Sequence, residues 1–122
     1  MTETRVARMH YVVIDAADPE RLAEFWGALL DVTVEARVGQ NQYVLMHPQA
    51  DGMPNLAFQR VDDVKQGKNR VHLDLDVADL ESARERIQKL GGSVHSDVQE
   101  LEGYTWQTMA DPEGNEFDIA PA

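Results

Sequence analysis

The sequence predicts an α+β fold made of one β-α-β-β-β module used twice in tandem. Three observations carry that prediction. The chain matches itself at an offset of 61 residues, where Asp15-Ala16-Ala17-Asp18 lies over Asp76-Val77-Ala78-Asp79, Glu20 over Glu81, Glu24 over Glu85 and Leu29 over Leu90. Each half holds one apolar stripe at helical spacing behind an aspartate cap. Each half also holds four segments of strand character. A repeat of half the chain length points to two copies of one unit.

In the first half, residues 7–15 read as the opening strand. Asp18-Pro19 supplies an N-cap and then a proline at the first helical position, where a missing N–H costs nothing; Leu22, Phe25, Trp26, Leu29 and Leu30 follow on one face. Phe25 and Trp26 are expected to anchor this helix. Strands are predicted over 32–37, 42–46 and 55–61. Here the halves drift out of register, with Tyr43, Met46, Pro48 and Phe58 answering to Trp106, Met109, Pro112 and Phe117, so the first half should carry a longer loop around 49–54.

Residues 62–69 are polar, contain glycine and read as a linker. The second half opens with a strand over 70–77. Asp79 caps a helix with the stripe Leu80, Ala83, Ile87 and Leu90, and Gly91-Gly92 ends it. Strands are predicted over 93–101, 104–110 and 116–120, the last two joined by Asp111-Pro112-Glu113-Gly114, which has the residue chemistry of a type I turn. The chain is thus expected to be a single domain over 1–122, with module 1 at about 7–61 and module 2 at about 70–120.

Composition narrows function by exclusion. With 122 residues and no cysteine, thiolate zinc sites, iron–sulfur clusters, disulfides and cysteine nucleophiles all drop out. Eleven Lys and Arg against 22 Asp and Glu give a formal charge of −11, which repels phosphate backbones and anionic lipid heads. No nucleic acid and no membrane partner is therefore expected, and no window approaches the roughly 18 apolar residues of a membrane span. A cationic or neutral small molecule, or a metal ion, suits this field better. The polar N-terminus, Met1 to Arg8, lacks the apolar stretch of a signal peptide, which makes cytoplasmic residence the expectation. Gly67-Lys68-Asn69 fails as a phosphate loop because Asp62 occupies the leading glycine position, and neither a Gly-x-Ser-x-Gly elbow nor a dinucleotide fingerprint occurs.

Strand faces point to a site. In the run from Val71 to Val77 every second residue is apolar, so Val71, Leu73, Leu75 and Val77 should pack beneath a helix while His72, Asp74 and Asp76 share the other face. Phe117 and Ile119 should likewise face the core and Asp118 face away. Trp106, Tyr104, Tyr43 and Tyr11 fall on strands and could either pack or stack a planar or cationic ligand. His47 and His95 have no partner pattern and read as surface residues.

The run His72-Leu73-Asp74-Leu75-Asp76-Val77-Ala78-Asp79-Leu80, the closing Asp111-Pro112-Glu113-Gly114-Asn115-Glu116-Phe117, and Asn69-Arg70-Val71 before the first of these resemble the vicinal oxygen chelate superfamily. Its members include glyoxalase I, bleomycin-resistance proteins and extradiol dioxygenases, and the chain looks closest to the glyoxalase-like branch. The resemblance implies two side-by-side modules forming a cupped, partly open mixed sheet with helices on the outside, a homodimer, and a small organic molecule bound in the cleft. It implies no particular reaction: an unproven binding activity, or a divalent-metal-dependent lyase, isomerase or dioxygenase.

Metal-using members hold one divalent ion, such as Zn²⁺, Ni²⁺, Mn²⁺ or Fe²⁺, with His, Glu, His and Glu from the first and fourth strands of each module. Transferred to this chain, His72 takes the second-module histidine position, seven residues before Asp79, and Asp118 the closing carboxylate. Gln59 falls at the first module's fourth-strand position. Tyr11 rather than histidine stands seven residues before Asp18, and His10 lies one residue off, on the opposite face unless a β-bulge intervenes. The candidate site is therefore His72 as catalytic residue, Tyr11, Gln59, Asp74 and Trp106 as ligand contacts, and His72 and Asp118 as metal ligands, with His10 and Gln59 as weaker ones. Three roles stay open for His72: a strand histidine satisfied by Asp74 or Asp118, a metal-free base or hydrogen-bonding group, or a metal ligand.

Overall fold

The computed structural model describes residues 6–122, so most of the polar N-terminal segment on which the cytoplasmic expectation rests lies outside the described residues. Strand β1 (Tyr11–Ala16) leads into helix α1 (Pro19–Leu30) and then β2 (Val34–Val38), β3 (Tyr43–Met46) and β4 (Asn55–Arg60). The second half repeats the plan with β5 (Asp74–Val77), α2 (Leu80–Lys89), the short β6 (Ser93–Val94) and β7 (Gln99–Leu101), β8 (Tyr104–Ala110) and β9 (Glu116–Pro121). The first sheet has the order β1-β4-β3-β2 and the second β5-β9-β8-β6, with β7 added to β8. In both, the opening strand runs parallel to the last and the remaining pairs are antiparallel. The predicted α+β tandem is the observed architecture. Among the described residues no helix is long and apolar enough to cross a membrane.

Both helices begin as the sequence requires. The Asp18 carboxylate accepts the Arg21 N–H and the Asp79 carboxylate the Ser82 N–H, each satisfying a first-turn donor that has no partner within the helix. Asp31 closes α1 in the left-handed region at φ 56, with its N–H on the Gly27 carbonyl.

Two strand predictions need correction. Residues 93–101 are not one strand, because the His95 and Ser96 N–H groups both turn to the Thr108 carbonyl and the chain leaves the ladder between β6 and β7. Nor does the fifth strand start at residue 70. Asn69 gives its backbone and side-chain N–H groups to Glu116 rather than to a strand neighbour, and the ladder begins only at Asp74. Val71 consequently sits 74% exposed and does not pack beneath a helix, whereas Leu73, Leu75 and Val77 do line the core.

That core is a single cluster spanning both halves. Leu22, Phe25 and Trp26 of α1 pack with Phe58 of β4 and with Ile87, Met109, Phe117 and Ile119 of the second half. Trp26 meets the edge of Phe117 at 4.8 Å between ring centroids, so the helix of one module closes on the last strand of the other. Each such fully buried large side chain is worth roughly 1.5–3 kcal/mol relative to exposure.

The 111–115 turn joins the halves through polar contacts. Buried Asp111 accepts the Trp26 indole N–H at 3.1 Å, and both carboxylate oxygens of Glu113 accept backbone N–H groups at the start of α1, from Ala17 and Asp18, at 2.7 Å each. A negative charge there also suits the positive end of the helix dipole.

The linker is fastened at Glu116. Burial alone would push this carboxyl upward, but the Asn69 N–H and the Lys65 ammonium, 3.1 Å away, outweigh it and hold the pKa at about 2 instead of 4.5. A carboxyl with a depressed folded-state pKa adds stability above its unfolded value and loses it as the pH falls towards the folded value. Lys65→Met should therefore reduce the loss of urea stability between pH 4.5 and about 2. An unchanged acid limb would show that Lys65 does not hold Glu116.

Candidate functional site

The alternation along β5 and β9 builds the site. Asp74 and Asp118 are register partners across the parallel pair, and Thr108 is the register partner of Asp118 across β8 and β9, so the three side chains share one face. Phe117 and Ile119, buried on the opposite face, fix that orientation. His72, just ahead of β5, completes the group.

Its Nδ1 lies 3.0 Å from Asp74 Oδ1 and 3.8 Å from Asp118 Oδ2, while Thr108 Oγ1 donates to the other Asp118 oxygen at 2.6 Å. A neutral imidazole that donates from Nδ1 to Asp74 keeps a lone pair on Nε2, the form that can take a proton or a metal. Exposure is graded: the His72 side chain is 40% accessible and that of Asp118 only 18%.

A cavity of about 300 Å³ opens on this group, lined by His72, Asp118, Thr108, Trp106, His95 and Lys68 among others. It sits at the lower end of the range for small-ligand sites. A larger cavity of about 570 Å³ lies beside the linker, but no histidine lines it. Chemistry rather than size marks the smaller one as the candidate.

Of the residues predicted for the site, His72, Asp74 and Asp118 come together; His72, Asp118 and Trp106 line the cavity, whereas Asp74 stands behind His72 and lines a separate cavity of about 430 Å³. Tyr11 and Gln59 stand on the other sheet and are not among the residues lining this cavity. Gln59 is paired with Asp15 and Tyr43 along the ladders, and the Tyr11 hydroxyl donates to Glu35 at 3.4 Å. Burial and the negative Glu35 beside it raise the Tyr11 pKa. The register of β1 against β4 runs unbroken from Tyr11 to Ala16, so the bulge that would turn His10 inward is absent from that span. His10 instead lies against the Tyr11 ring, 4.1 Å between centroids.

Sequence reasoning missed five lining residues: Lys68, His95, Ser96, Thr108 and Glu116. His95 is exposed, in keeping with its reading as a surface residue, and the break between β6 and β7 also brings it to the cavity wall. Thr108 looked like an ordinary strand residue, although its place two positions from Trp106 on the same face was a usable signal. Lys68 looked like part of a solvated linker.

The glyoxalase-like domain family model matches residues 11–120. The chain belongs to the glyoxalase-like domain family. With that membership comes the vicinal oxygen chelate superfamily. Solved structures agree in fold: a glyoxalase/bleomycin resistance protein/dioxygenase family enzyme from Burkholderia phytofirmans superposes with a TM-score of 0.76 at 15% identity, covering 94% of this chain and 98% of that one. A glyoxalase-related enzyme from Fulvimarina pelagi gives 0.72 at 19% identity, covering 96% and 89%. Among curated proteins none matches the chain.

In this glyoxalase-like domain one imidazole and two carboxylates offer donor atoms within 4.8 Å of one another. Such a set fits a borderline divalent ion and would leave coordination positions open. His72, Asp74 and Asp118 are the residues that would hold it.

Proposed function

We propose that this glyoxalase-like domain binds a small organic molecule in the cavity between His72, Asp118 and Trp106. The observation that carries this is the convergence of an oriented imidazole, a hydroxyl-bound carboxylate and an aromatic face on one opening of about 300 Å³. Asp74 fixes the ring of His72, Thr108 fixes Asp118, and Trp106 supplies a surface on which a planar group can stack. His72 can then hydrogen-bond the ligand or accept a proton from it.

A second reading is favoured by the clustering of three donor atoms within 4.8 Å: a divalent-metal-dependent lyase, isomerase or dioxygenase activity. A bound ion would supply Lewis acidity towards ligand oxygens. The protein's part is to present the three donors and to keep the ligand against Trp106.

Calorimetric titration of chelator-stripped protein with Zn²⁺, Ni²⁺, Mn²⁺ and Fe²⁺ separates the readings, with a thermal-shift screen of planar small molecules run alongside. The binding reading expects ligand stabilisation that weakens about tenfold in affinity in His72→Ala, the size of one lost hydrogen bond to a charged or polarised group. Submicromolar, stoichiometric metal binding lost in the same variant would establish the second reading. No stabilisation by any ligand and no metal binding would sink both.

A further inference from the structure

The charge of −11 suggests a cationic ligand, but the charges around the cavity are arranged differently. Two carboxylates line it, and both are engaged within the protein. Glu116 accepts the Asn69 N–H at 3.0 Å and lies 3.1 Å from the Lys65 ammonium, and Asp118 accepts the Thr108 hydroxyl at 2.6 Å with His72 beside it. The cation on the wall, Lys68, has no ion-pair or hydrogen-bond partner among the described residues. It stands at the end of the linker, where Lys65, Lys68 and Arg70 place three of the chain's 11 basic residues within six positions.

The linker is held there by the Lys65 and Asn69 contacts to Glu116, which flank Lys68 on both sides in sequence. Lys68 is thereby kept at the cavity by its neighbours, while its own ammonium makes no ion pair or hydrogen bond among the described residues. An ammonium at the edge of a cavity gains most from a ligand that carries an oxyanion, because a charge-assisted hydrogen bond is about twice as strong as a neutral one. The rings of His72 and His95 stand on the same wall, and Trp106 adds a flat apolar face.

We propose that the cavity selects a planar organic acid, with Lys68 as the counter-ion of its carboxylate and Trp106 stacked on its ring. The proposal rests on the binding site put forward above and adds the charge and class of its ligand. It also places the specificity outside both β-α-β-β-β modules, in the segment that joins them.

The test uses three probes of one shape and different charge, 1-naphthoate, 1-naphthamide and 1-naphthylmethylamine, titrated by calorimetry into wild-type, Lys68→Met, Lys68→Arg and His72→Ala proteins. Naphthoate should bind at least tenfold tighter than the amide or the amine. That preference should shrink with added salt, disappear in Lys68→Met and survive in Lys68→Arg. Preference for the amine or the amide, or a naphthoate affinity untouched by Lys68→Met, overturns the acid-selective cavity; if binding still falls in His72→Ala, the site itself stands. Failure of all three probes to bind the wild-type protein overturns the proposal and the site together.

Discussion

Asp111→Ala should cost about 4 kcal/mol of folding stability, read as a lower urea midpoint at unchanged slope. Asp111 is 3% exposed and gathers four different donors: the Trp26 indole, the Glu113 and Asn115 backbone N–H groups, and the Asn115 side-chain amide. Truncation leaves the indole N–H sealed without an acceptor, a penalty of roughly 1–3 kcal/mol in itself. It also frees the turn that carries Glu113 to the start of α1. Asp111→Asn keeps the shape and one acceptor oxygen and should lose about half as much. A loss below about 1 kcal/mol in the alanine variant would mean that the Trp26 contact adds little to the joining of the halves.

Gly92→Ala should cost about 3 kcal/mol, at the upper end of ordinary overpacking. A Cβ at this position would lie 2.6 Å from Ile87 Cγ2, 2.8 Å from the Ala110 carbonyl oxygen and 3.1 Å from Phe25 Cε1. The first of these contacts belongs to α2, the second to β8 and the third to the other module's helix, so no single side chain can move to relieve all three. Gly114→Ala is the contrasting case. Nothing lies within 4 Å of its Cβ position, and only the left-handed φ of 85 penalises a side chain there, by roughly 1–2 kcal/mol. A loss at Gly92 no larger than that at Gly114 would show that its three neighbours give way and that space does not set the cost there.

Much of the fold can be read from the residues because its signals are local. Asp18-Pro19 and Asp79 mark helix starts whose caps depend on residues three positions away, and the alternation in β9 separates Asp118 from Phe117 and Ile119 without any knowledge of the partner strand. The site is legible to the same extent: the alternation of β5 gives His72 and Asp74 a common face, and the pairing with Asp118 follows from the tandem plan. What escapes is whatever depends on a departure from regular structure. His95 reaches the cavity because two N–H groups compete for the Thr108 carbonyl, and Val71 is exposed because Asn69 binds Glu116 instead of a ladder neighbour. Neither competition leaves a trace in periodicity. Lys68 is harder still, since a lysine in a polar linker is indistinguishable in sequence from one in solvent.

The grip of Glu113 on the start of α1 spans nearly the whole chain: its partners Ala17 and Asp18 lie 96 and 95 residues earlier. A protein made from its N-terminus onward therefore synthesises this helix long before the acceptors for the two N–H groups that lead into it exist. Until the last strands emerge, Phe25 and Trp26 lack the Phe117 ring that covers them. Loss of the final dozen residues would therefore do more than fray an edge strand. It would leave the two N–H groups that lead into the first-made helix without their Glu113 acceptors and the helix's aromatic face bare, an incomplete product of the kind that aggregates or is cleared by proteolysis.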